Sequence, residues 1–317
     1  MFDDGFQILG QNIKRGQSAS LEMDVAKLHT RNSLKIPVIV SRAKLDGPVL
    51  LLIGGVHGDE TNGVAIVRDI IRKKYNKPKR GTIICIPVFN VIGYLNHNRE
   101  FPDGRDLNRI FPGSANGSLA SQFAHKFIKE IAPLADYVLD FHTGGADRDN
   151  YPNVRCFLQQ KKLLELAKVF GAPFIVNSDY IPKSLRQAMY KLGKPILVYE
   201  GGKSLMLDQA AIDYGVQGAL NVMIHLQMQV GEPSSNKDTI VIDKSKWLRA
   251  PYSGMFQSVV QNGSRVKKRD VLGKISDPYG EFERKIFAPF DCCVFGLNTT
   301  PNVYKGDAIY HVSVEKE

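Results

Sequence analysis

The stretch "IGGVHGDETNG", residues 53–63, puts a histidine and two acids directly after an apolar run. The run itself, "PVLLLIGG" (48–55), has the length and aliphatic content of a strand buried on both faces. The segment that follows, "NGVAIVRDIIRKKY" (62–75), carries apolar side chains at three- and four-residue spacing and predicts a helix. We therefore expect His57 and Glu60 on a turn at the C-terminal end of a strand, the edge at which open α/β sheets bind ligands.

Two later strands end in the same way. "DYVLDFHTGG" (136–145) leads to His142 and two glycines, and "PILVYEGG" (195–202) leads to Glu200 and two glycines. A further buried strand is predicted at 82–90, and amphipathic helices are predicted at "SLASQFAHKFIKEIAPLA", "KKLLELAKVFG" and "ALNVMIHLQMQ". This alternation predicts an α/β fold with a mostly parallel or mixed sheet and helices on both faces.

The end of the chain has a different pattern. A polar linker, "GEPSSNKDT", separates a first domain, residues 1–238, from short alternating strands in residues 239–317. Within the latter, "APYSGMF" (250–256) recurs as "APFDCCVF" (288–295), which indicates two copies of a four-strand unit. Such a small all-β barrel resembles the biotinyl/lipoyl domain. The turn that would carry a modified lysine, "DPYGEF", has none, so we expect no lipoylation or biotinylation.

Composition and charge narrow the classes of function. Of the 317 residues, 43% are hydrophobic and 23% charged, as in ordinary globular proteins. No apolar run approaches the length of a bilayer span, and the acidic start "MFDDGFQ" is unlike a signal peptide, so we expect a cytoplasmic protein with no membrane partner. The net charge of +10 permits nucleic acid, but the basic residues are scattered, which favours a solvated surface or an acidic small ligand.

The residues after the three strands are those of a hydrolytic metal site. Two histidines and one carboxylate bind zinc in many hydrolases and leave one position for water, while a further acid takes the proton of that water. His57 and His142 supply the nitrogens, and the pattern alone leaves open which of Glu60 and Glu200 is the ligand. Asp140, two residues before His142, is either a support for that histidine or an ordinary strand-end acid.

The loop at residues 91–113 has no helical or strand periodicity, and a loop of this length in a compact domain is usually functional. It contains Arg99, Arg105, Asn108 and Arg109. Guanidinium groups bind carboxylates through two parallel hydrogen bonds, so these residues predict a site for a substrate carboxylate, the alternative being a solvated basic loop.

Four motifs in order, "GGVHGDETNG", "GRDLNRIFPG", "LDFHTGG" and "VYEGG", resemble the succinylglutamate desuccinylase/aspartoacylase family. These proteins are relatives of zinc carboxypeptidases with an appended C-terminal barrel. The resemblance implies one Zn²⁺ per chain, bound by His57, Glu60 and His142, with Glu200 as general base and acid.

The resemblance also implies roles for the loop. Asn108 and Arg109 would hold the substrate's carboxylate, and an upstream arginine would polarise the scissile carbonyl, with Arg99 the first choice and Arg105 the second. A tyrosine closes the site in several relatives, and Tyr252 is the candidate here.

The sequence therefore predicts a zinc-dependent amidohydrolase whose partner is a small N-acyl amino acid or a short peptide, with no nucleic acid. The first alternative is a metallocarboxypeptidase acting on short, including acidic, peptides, and the second is a non-catalytic zinc-binding scaffold. The acyl group, the amino acid and the oligomeric state, including a homo-oligomer, are left open.

Overall fold

The strands and helices that the sequence predicts from residue 37 onward occur in the predicted order, and strands at 148–156 and 174–177 and a helix at 185–191 are additional elements that it did not predict. A computed structural model describes residues 5–27, 29–234 and 238–314. Its strands are β1 Phe6–Ile8, β2 Gln11–Ile13, β3 Ser18–Lys27, β4 Ser33–Arg42, β5 Leu45–Gly54, β6 Arg80–Ile86, β7 Tyr137–Gly144, β8 Arg148–Cys156, β9 Phe174–Asn177, β10 Ile196–Lys203, β11 Ile240–Ile242, β12 Lys244–Arg249, β13 Gly254–Ser258, β14 Arg265–Val266, β15 Val271–Ser276, β16 Glu283–Phe287, β17 Cys292–Asn298, β18 Asn302–Val303 and β19 Ala308–Val314. Its helices are α1 Thr61–Arg72, α2 Val91–Leu95, α3 Leu119–Glu130, α4 Lys161–Phe170, α5 Leu185–Lys191 and α6 Gln209–His225, with 3₁₀ turns at Leu107–Arg109 and Ala132–Leu134.

A large mixed sheet runs through the molecule in the order β12-β19-β17-β8-β10-β7-β5-β6-β4-β3. The pairs β5–β6, β5–β7 and β7–β10 are parallel, whereas β3–β4, β4–β6 and β8–β10 are antiparallel. One apolar cluster includes residues of α3 and α5, and a separate one includes residues of α1, α4 and α6. The prediction of an α/β fold with a mixed sheet and helices on both faces is confirmed.

The turn after β5 is fixed by close packing between α1 and the sheet. A Cβ atom on Gly63, in the first turn of α1, would lie 2.2 Å from the carbonyl oxygen of Phe141 on β7. The helix therefore approaches β7 more closely than any other residue would allow. In the strand register, Gly54 is opposite Phe141, and Glu200 is opposite His142. The ends of β5, β7 and β10 thus lie side by side at one edge, as the sequence predicts.

Some boundaries differ from those predicted. The helix predicted at 62–75 ends at Arg72, and the strand predicted at 82–90 ends at Ile86. The loop at 91–113 is not wholly irregular, because it contains α2 and a 3₁₀ turn. The side chain of Asn90 accepts a hydrogen bond from the Gly93 amide at 2.9 Å, which stabilises the start of a helix too short to show periodicity.

The C-terminal part is all β, and its strands pair reciprocally. The first strand of each duplicated unit, β13 or β17, pairs with the second strand of the other unit, β18 or β14. Each first strand also pairs with the third strand of its own unit, β15 or β19. This is the pseudo-two-fold arrangement that the duplication predicts, whereas the identity of the segment as a biotinyl/lipoyl-like barrel stays a prediction.

The C-terminal strands also join the large sheet. β17 pairs with β8, and β11 pairs with β9. Phe174 and Val176 of β9 form a buried cluster with Ile242, Cys293 and Phe295 of the C-terminal segment. The two parts of the chain therefore share a sheet and a core cluster, and the domain boundary after residue 238 stays a prediction.

Parts of two predictions lie outside the described residues, namely residues 1–4 of the acidic start and residues 235–237 of the linker. The described residues contain no helix that is both long enough and apolar enough to cross a bilayer. All four cysteines, Cys85, Cys156, Cys292 and Cys293, are buried.

Replacing Phe295 by alanine should destabilise both parts of the chain together. Its ring is fully buried and packs 6.0 Å from the ring of Phe174 and 4.3 Å from that of His311. We expect a loss of about 3–5 kcal/mol in the free energy of unfolding, measured by urea titration. The exposed Phe287→Ala should change it by less than about 0.5 kcal/mol. If fluorescence of Trp247, the only tryptophan, and far-UV circular dichroism report separate transitions, the shared cluster does not couple the two parts.

Candidate metal centre and active site

A cavity of about 680 Å³ lies where β5, β7 and β10 end. The floor of the cavity is formed by residues on successive paired strands. It extends from His142 on β7 through β10, β8 and β17 to His311 on β19 and Trp247 on β12. Other walls come from the loop before α3 and from α5. The C-terminal strands therefore form part of the same cavity as the predicted metal ligands.

Three predicted ligands meet at one end of this cavity. His57, Glu60 and His142 are all buried, and each offers a ligand atom within 4.8 Å of the others. Glu60 lies between the histidines, with Oε1 2.7 Å from His57 Nδ1 and Oε2 2.7 Å from His142 Nδ1. Glu60 immediately precedes α1, yet its side chain makes no capping hydrogen bond, because both oxygens are directed to the histidines.

Each histidine is supported by an acid on its other ring nitrogen. His57 Nε2 lies 3.2 Å from Asp106 Oδ1, and His142 Nε2 lies 2.8 Å from Asp140 Oδ2. Carboxylates in this position fix the orientation of metal-binding imidazoles and raise their basicity. Asp140 is thus a support for His142, one of the two roles that the sequence leaves open, and Asp106 is an equivalent support that the sequence analysis missed.

The charged groups at this end of the cavity shift one another's pKa values. Burial lowers the pKa of His57, but Glu60 and Asp106 outweigh it and the net shift is upward. Burial likewise lowers the pKa of His142, but Asp140 and Glu60 raise it well above its usual range. Burial raises the pKa of Glu60, and the two histidines reverse this to hold it well below its usual range. The surrounding carboxylates thus favour positive charge between the histidines.

The donor set fits a metal ion. His57 Nδ1 is buried and, despite its short distance to Glu60, has no partner of hydrogen-bonding geometry. Two imidazole nitrogens and a carboxylate that converge in this way form the ligand set of an open, three-residue metal site. His57, Glu60 and His142 could therefore hold a divalent cation.

Glu200 lines the cavity beside this triad and is held from β8. Asn150, which is buried, donates a hydrogen bond from Nδ2 to Glu200 Oε2 at 2.9 Å. Arg155 Nε lies 3.5 Å from Glu200 Oε1. The Glu200 side chain is 15% exposed, so the carboxylate is oriented but still accessible. No pattern in the sequence indicated Asn150 or Arg155, because both lie within a strand whose pairing is set by distant residues.

The two candidate arginines of the loop have different surroundings. Arg99 Nη1 lies 3.0 Å from Glu60 Oε1, and Arg99 Nη2 lies 3.0 Å from Asp106 Oδ2. Arg105 is exposed, lies 3.5 Å from Asp103 and lines a second cavity rather than the one that holds the triad. Arg99 is therefore the arginine next to the candidate metal site.

Asn108 and Arg109 both line the cavity. Asn108 Oδ1 accepts a hydrogen bond from the Leu185 amide at 2.8 Å, which ties the loop to the start of α5. Arg109 is exposed and donates from Nη1 to the Asn108 carbonyl at 2.8 Å.

The structure does not bring Tyr252 to the site, so the prediction that it closes the cavity is wrong. Its side chain is 44% exposed, packs on Phe282 and lines a separate cavity of the C-terminal part. The residues that this part contributes to the cavity include Trp247 and His311, whose rings stack with their centroids 4.7 Å apart. Their position depends on the β17–β8 pairing, which the sequence pattern does not reveal.

The chain is similar to known proteins over most of its length. A family model for the succinylglutamate desuccinylase/aspartoacylase catalytic domain matches residues 46–226, more than half of the chain. The N-alpha-acetyl-L-2,4-diaminobutyric acid deacetylase of Halomonas elongata is 28% identical over 260 residues, which cover 77% of this chain and 75% of that protein.

Solved structures show the same fold. A succinylglutamate desuccinylase/aspartoacylase from Rhodobacter sphaeroides is 25% identical with a TM-score of 0.81, covering 94% of this chain and 95% of that one. The product-bound ectoine utilization protein EutE (DoeB) of Ruegeria pomeroyi is 24% identical with a TM-score of 0.82 and the same coverage. The catalytic-domain match spans the triad, Glu200 and the arginine loop, and this chain belongs to the succinylglutamate desuccinylase/aspartoacylase family.

Proposed function

We propose that the protein is a zinc-dependent hydrolase that cleaves the amide bond of an N-acyl amino acid. The observation that carries this proposal is the convergence of both histidine Nδ1 atoms on the buried carboxylate of Glu60, next to Glu200. The name of the Halomonas relative, a deacetylase of an acetylated amino acid, supports a deacylase over a carboxypeptidase.

Within this proposal, His57, Glu60 and His142 hold the zinc ion. When bound, zinc supplies Lewis acidity, which activates water and polarises a carbonyl group at neutral pH. Glu200 accepts the proton of the attacking water and then donates it to the leaving amine, so no net proton is taken up by the protein. The hydrogen bond from Asn150 keeps the Glu200 carboxylate in one orientation through both transfers.

The arginine loop provides the remaining contacts. We assign Arg99 to the carbonyl oxygen of the substrate, since its guanidinium lies beside Glu60. The attraction between the guanidinium and that carbonyl oxygen would strengthen as negative charge develops on the oxygen. Asn108 and Arg109, at the cavity wall, bind the carboxylate of the amino acid. Arg105, in the other cavity, has no part in this scheme.

Metal content tests the ligand assignment. Purified protein should contain about one zinc ion per chain, and His142→Ala should lose it, because a site with one histidine and one carboxylate binds zinc weakly. Elemental analysis after gel filtration measures this. His125→Ala, on α3, is the matched control and should retain the metal. Unchanged zinc in His142→Ala would remove this histidine from the ligand set.

Glu200→Gln should abolish turnover while zinc is retained. The amide has nearly the same shape as the carboxylate but accepts no proton, so we expect kcat to fall by about 10²–10⁴-fold. Hydrolysis of a panel of N-acyl amino acids, followed by amine release, measures this, and Glu130→Gln at the end of α3 is the control. Loss of zinc would make Glu200 a ligand, and an unchanged rate would exclude it as the base.

Arg109→Lys should weaken the binding of substrates that carry a free carboxylate. Lysine keeps the charge but lacks the planar pair of donors, so the loss should be about 1.5–3 kcal/mol, or roughly ten- to a hundred-fold in kcat/KM. The corresponding amide substrates, already poor, should change little. Arg105→Lys is the matched control on the same loop. Equal losses for acid and amide substrates would mean that Arg109 supports the loop and not the ligand.

A further inference from the structure

A second cavity, of about 720 Å³, lies next to the arginine loop. Its walls are formed by residues of this loop, of α3 and of α5. Its volume is in the range of sites that bind small molecules. Arg109 lines both this second cavity and the catalytic cavity, which holds the triad, so a molecule bound in either one has access to the same guanidinium.

The lining of the second cavity combines apolar side chains with positive charge. Its apolar residues are Ile110, Phe111, Pro112, Ile128, Ala188 and Leu192. Its charged residues are Arg105, Arg109, Lys183 and Lys191, and no described acidic residue lines it. Small-molecule sites are mostly apolar, with a few polar groups that set specificity, so this lining fits an anion that carries a hydrocarbon chain.

Most of the positive charge in this lining is not neutralised by the protein. Arg105 Nε lies 3.5 Å from Asp103 Oδ2. By contrast, no acidic group among the described residues lies within ion-pair distance of Arg109, Lys183 or Lys191. An anion in the second cavity would therefore meet three cations that have no counter-ion.

Two hydroxyl groups on α3 add uncharged donors to the same cavity. Ser118 Oγ accepts a hydrogen bond from the Ser121 amide at 3.4 Å, and Ser121 Oγ accepts one from the Ser114 amide at 2.9 Å. Among the described residues neither hydroxyl donates a hydrogen bond, so both hydrogens can be directed to an anion.

Arg109 is the group through which the two cavities communicate. Its side chain is exposed, and its one hydrogen bond among the described residues runs from Nη1 to the Asn108 carbonyl. The backbone around it is fixed, because Asn108 Oδ1 accepts from the Leu185 amide and the Phe111 amide donates to the Lys183 carbonyl at 3.0 Å. A bound anion would therefore act on the Arg109 side chain and not on the path of the loop.

We propose that the second cavity binds a carboxylate with an aliphatic chain, and that this anion weakens substrate binding by competing for Arg109. The second part of this inference rests on the proposed function, in which Arg109 binds the carboxylate of the substrate. A guanidinium that is paired with one carboxylate offers fewer donors to another, and two carboxylates close to it repel each other. The substrate would weaken binding of the second anion by the same factor, since the coupling is reciprocal.

Calorimetric titration with octanoate, octanamide and octylamine tests the chemistry of the site. We expect octanoate to bind the purified protein at least about tenfold more tightly than octanamide, because only the carboxylate pairs with the cations. Octylamine, which is a cation, should bind most weakly. From butyrate to octanoate the affinity should rise by about two- to fourfold for each added methylene group, as the apolar lining covers the chain. Equal binding of octanoate and octanamide would overturn the proposal.

A double variant, Lys183→Gln with Lys191→Gln, tests where octanoate binds. Both side chains are exposed and neither lines the catalytic cavity, so we expect a folded protein with native activity and an affinity for octanoate lower by about tenfold. Lys161→Gln with Lys162→Gln, at the start of α4, removes the same charge and is the matched control. Unchanged octanoate affinity in the Lys183/Lys191 variant would place the anion elsewhere and would sink the proposal.

Kinetics test the competition for Arg109. Octanoate at saturation should raise KM for an N-acetyl-L-amino acid by at least about threefold and leave kcat unchanged. The Lys183/Lys191 variant should need about tenfold more octanoate for the same effect. Equal inhibition of the native protein and this variant would mean that octanoate binds in the catalytic cavity, which overturns the proposal.

The two measurements also separate this inference from the proposed function. If no N-acyl amino acid is hydrolysed but octanoate binds and the Lys183/Lys191 variant loses it, the proposed function fails and the second site stands. If hydrolysis occurs but octanoate is not bound, the second site fails alone. If octanoate is bound and KM stays unchanged, the competition for Arg109 is wrong.

Discussion

The carboxylate of Glu60, shared between the Nδ1 atoms of His57 and His142, is the interaction on which the site depends. A buried carboxylate is strongly destabilising unless its oxygens are paired, and here Oε1 accepts a hydrogen bond from Arg99 Nη1 at 3.0 Å while Oε2 lies 2.7 Å from His142 Nδ1. Glu60 is held at this point because it directly precedes α1, and α1 packs against β7 through Gly63. The partial positive charge of the helix N-terminus further stabilises the carboxylate. The geometry of the triad therefore follows from helix-to-sheet packing.

The sheet extends this organisation to the rest of the cavity. Its parallel strands β5, β7 and β10 bring the triad and Glu200 to one edge, and the antiparallel β8 adds Asn150. The C-terminal strand β17 pairs with β8 at Asn150, where a Cβ atom on Gly296 would lie 3.3 Å from Asn150 Oδ1 and 2.8 Å from the Cβ of His311. The strand from the C-terminal part is thus packed directly against the residue that orients Glu200.

The sequence alone predicted those residues of the site that a local sequence pattern marks. A strand that ends in glycines and a polar side chain has a recognisable pattern, and three such ends lead to His57, His142 and Glu200. The resemblance ranked Arg99 above Arg105, but the pattern of the loop could not choose between them, because a loop without periodicity gives no direction to its side chains. Only the fold shows that Arg99 contacts Glu60.

Long-range pairing accounts for what the sequence did not predict. Asn150 and Arg155 lie on β8, whose neighbouring strands β10 and β17 are about 50 and 150 residues away along the chain. The expectation for Tyr252 failed for the same reason, because the orientation of the C-terminal strands is set by the β8–β17 pairing. That pairing directs His311 and Trp247, rather than Tyr252, to the cavity.

The charges of the cavity are arranged in two regions with opposite requirements. Around the triad, Glu60, Asp106 and Asp140 favour a cation between the histidines, and each is already hydrogen-bonded to an imidazole. Beyond Glu200, Arg155 and Arg186 add positive charge to the cavity wall, and each has a buried nitrogen without a hydrogen-bond partner. Glu200 contacts Arg155 at 3.5 Å and is oriented by a neutral amide, so it is not locked in a strong ion pair. A base between these two regions can exchange a proton without losing a structural salt bridge, which is the requirement that the proposed hydrolysis imposes on it.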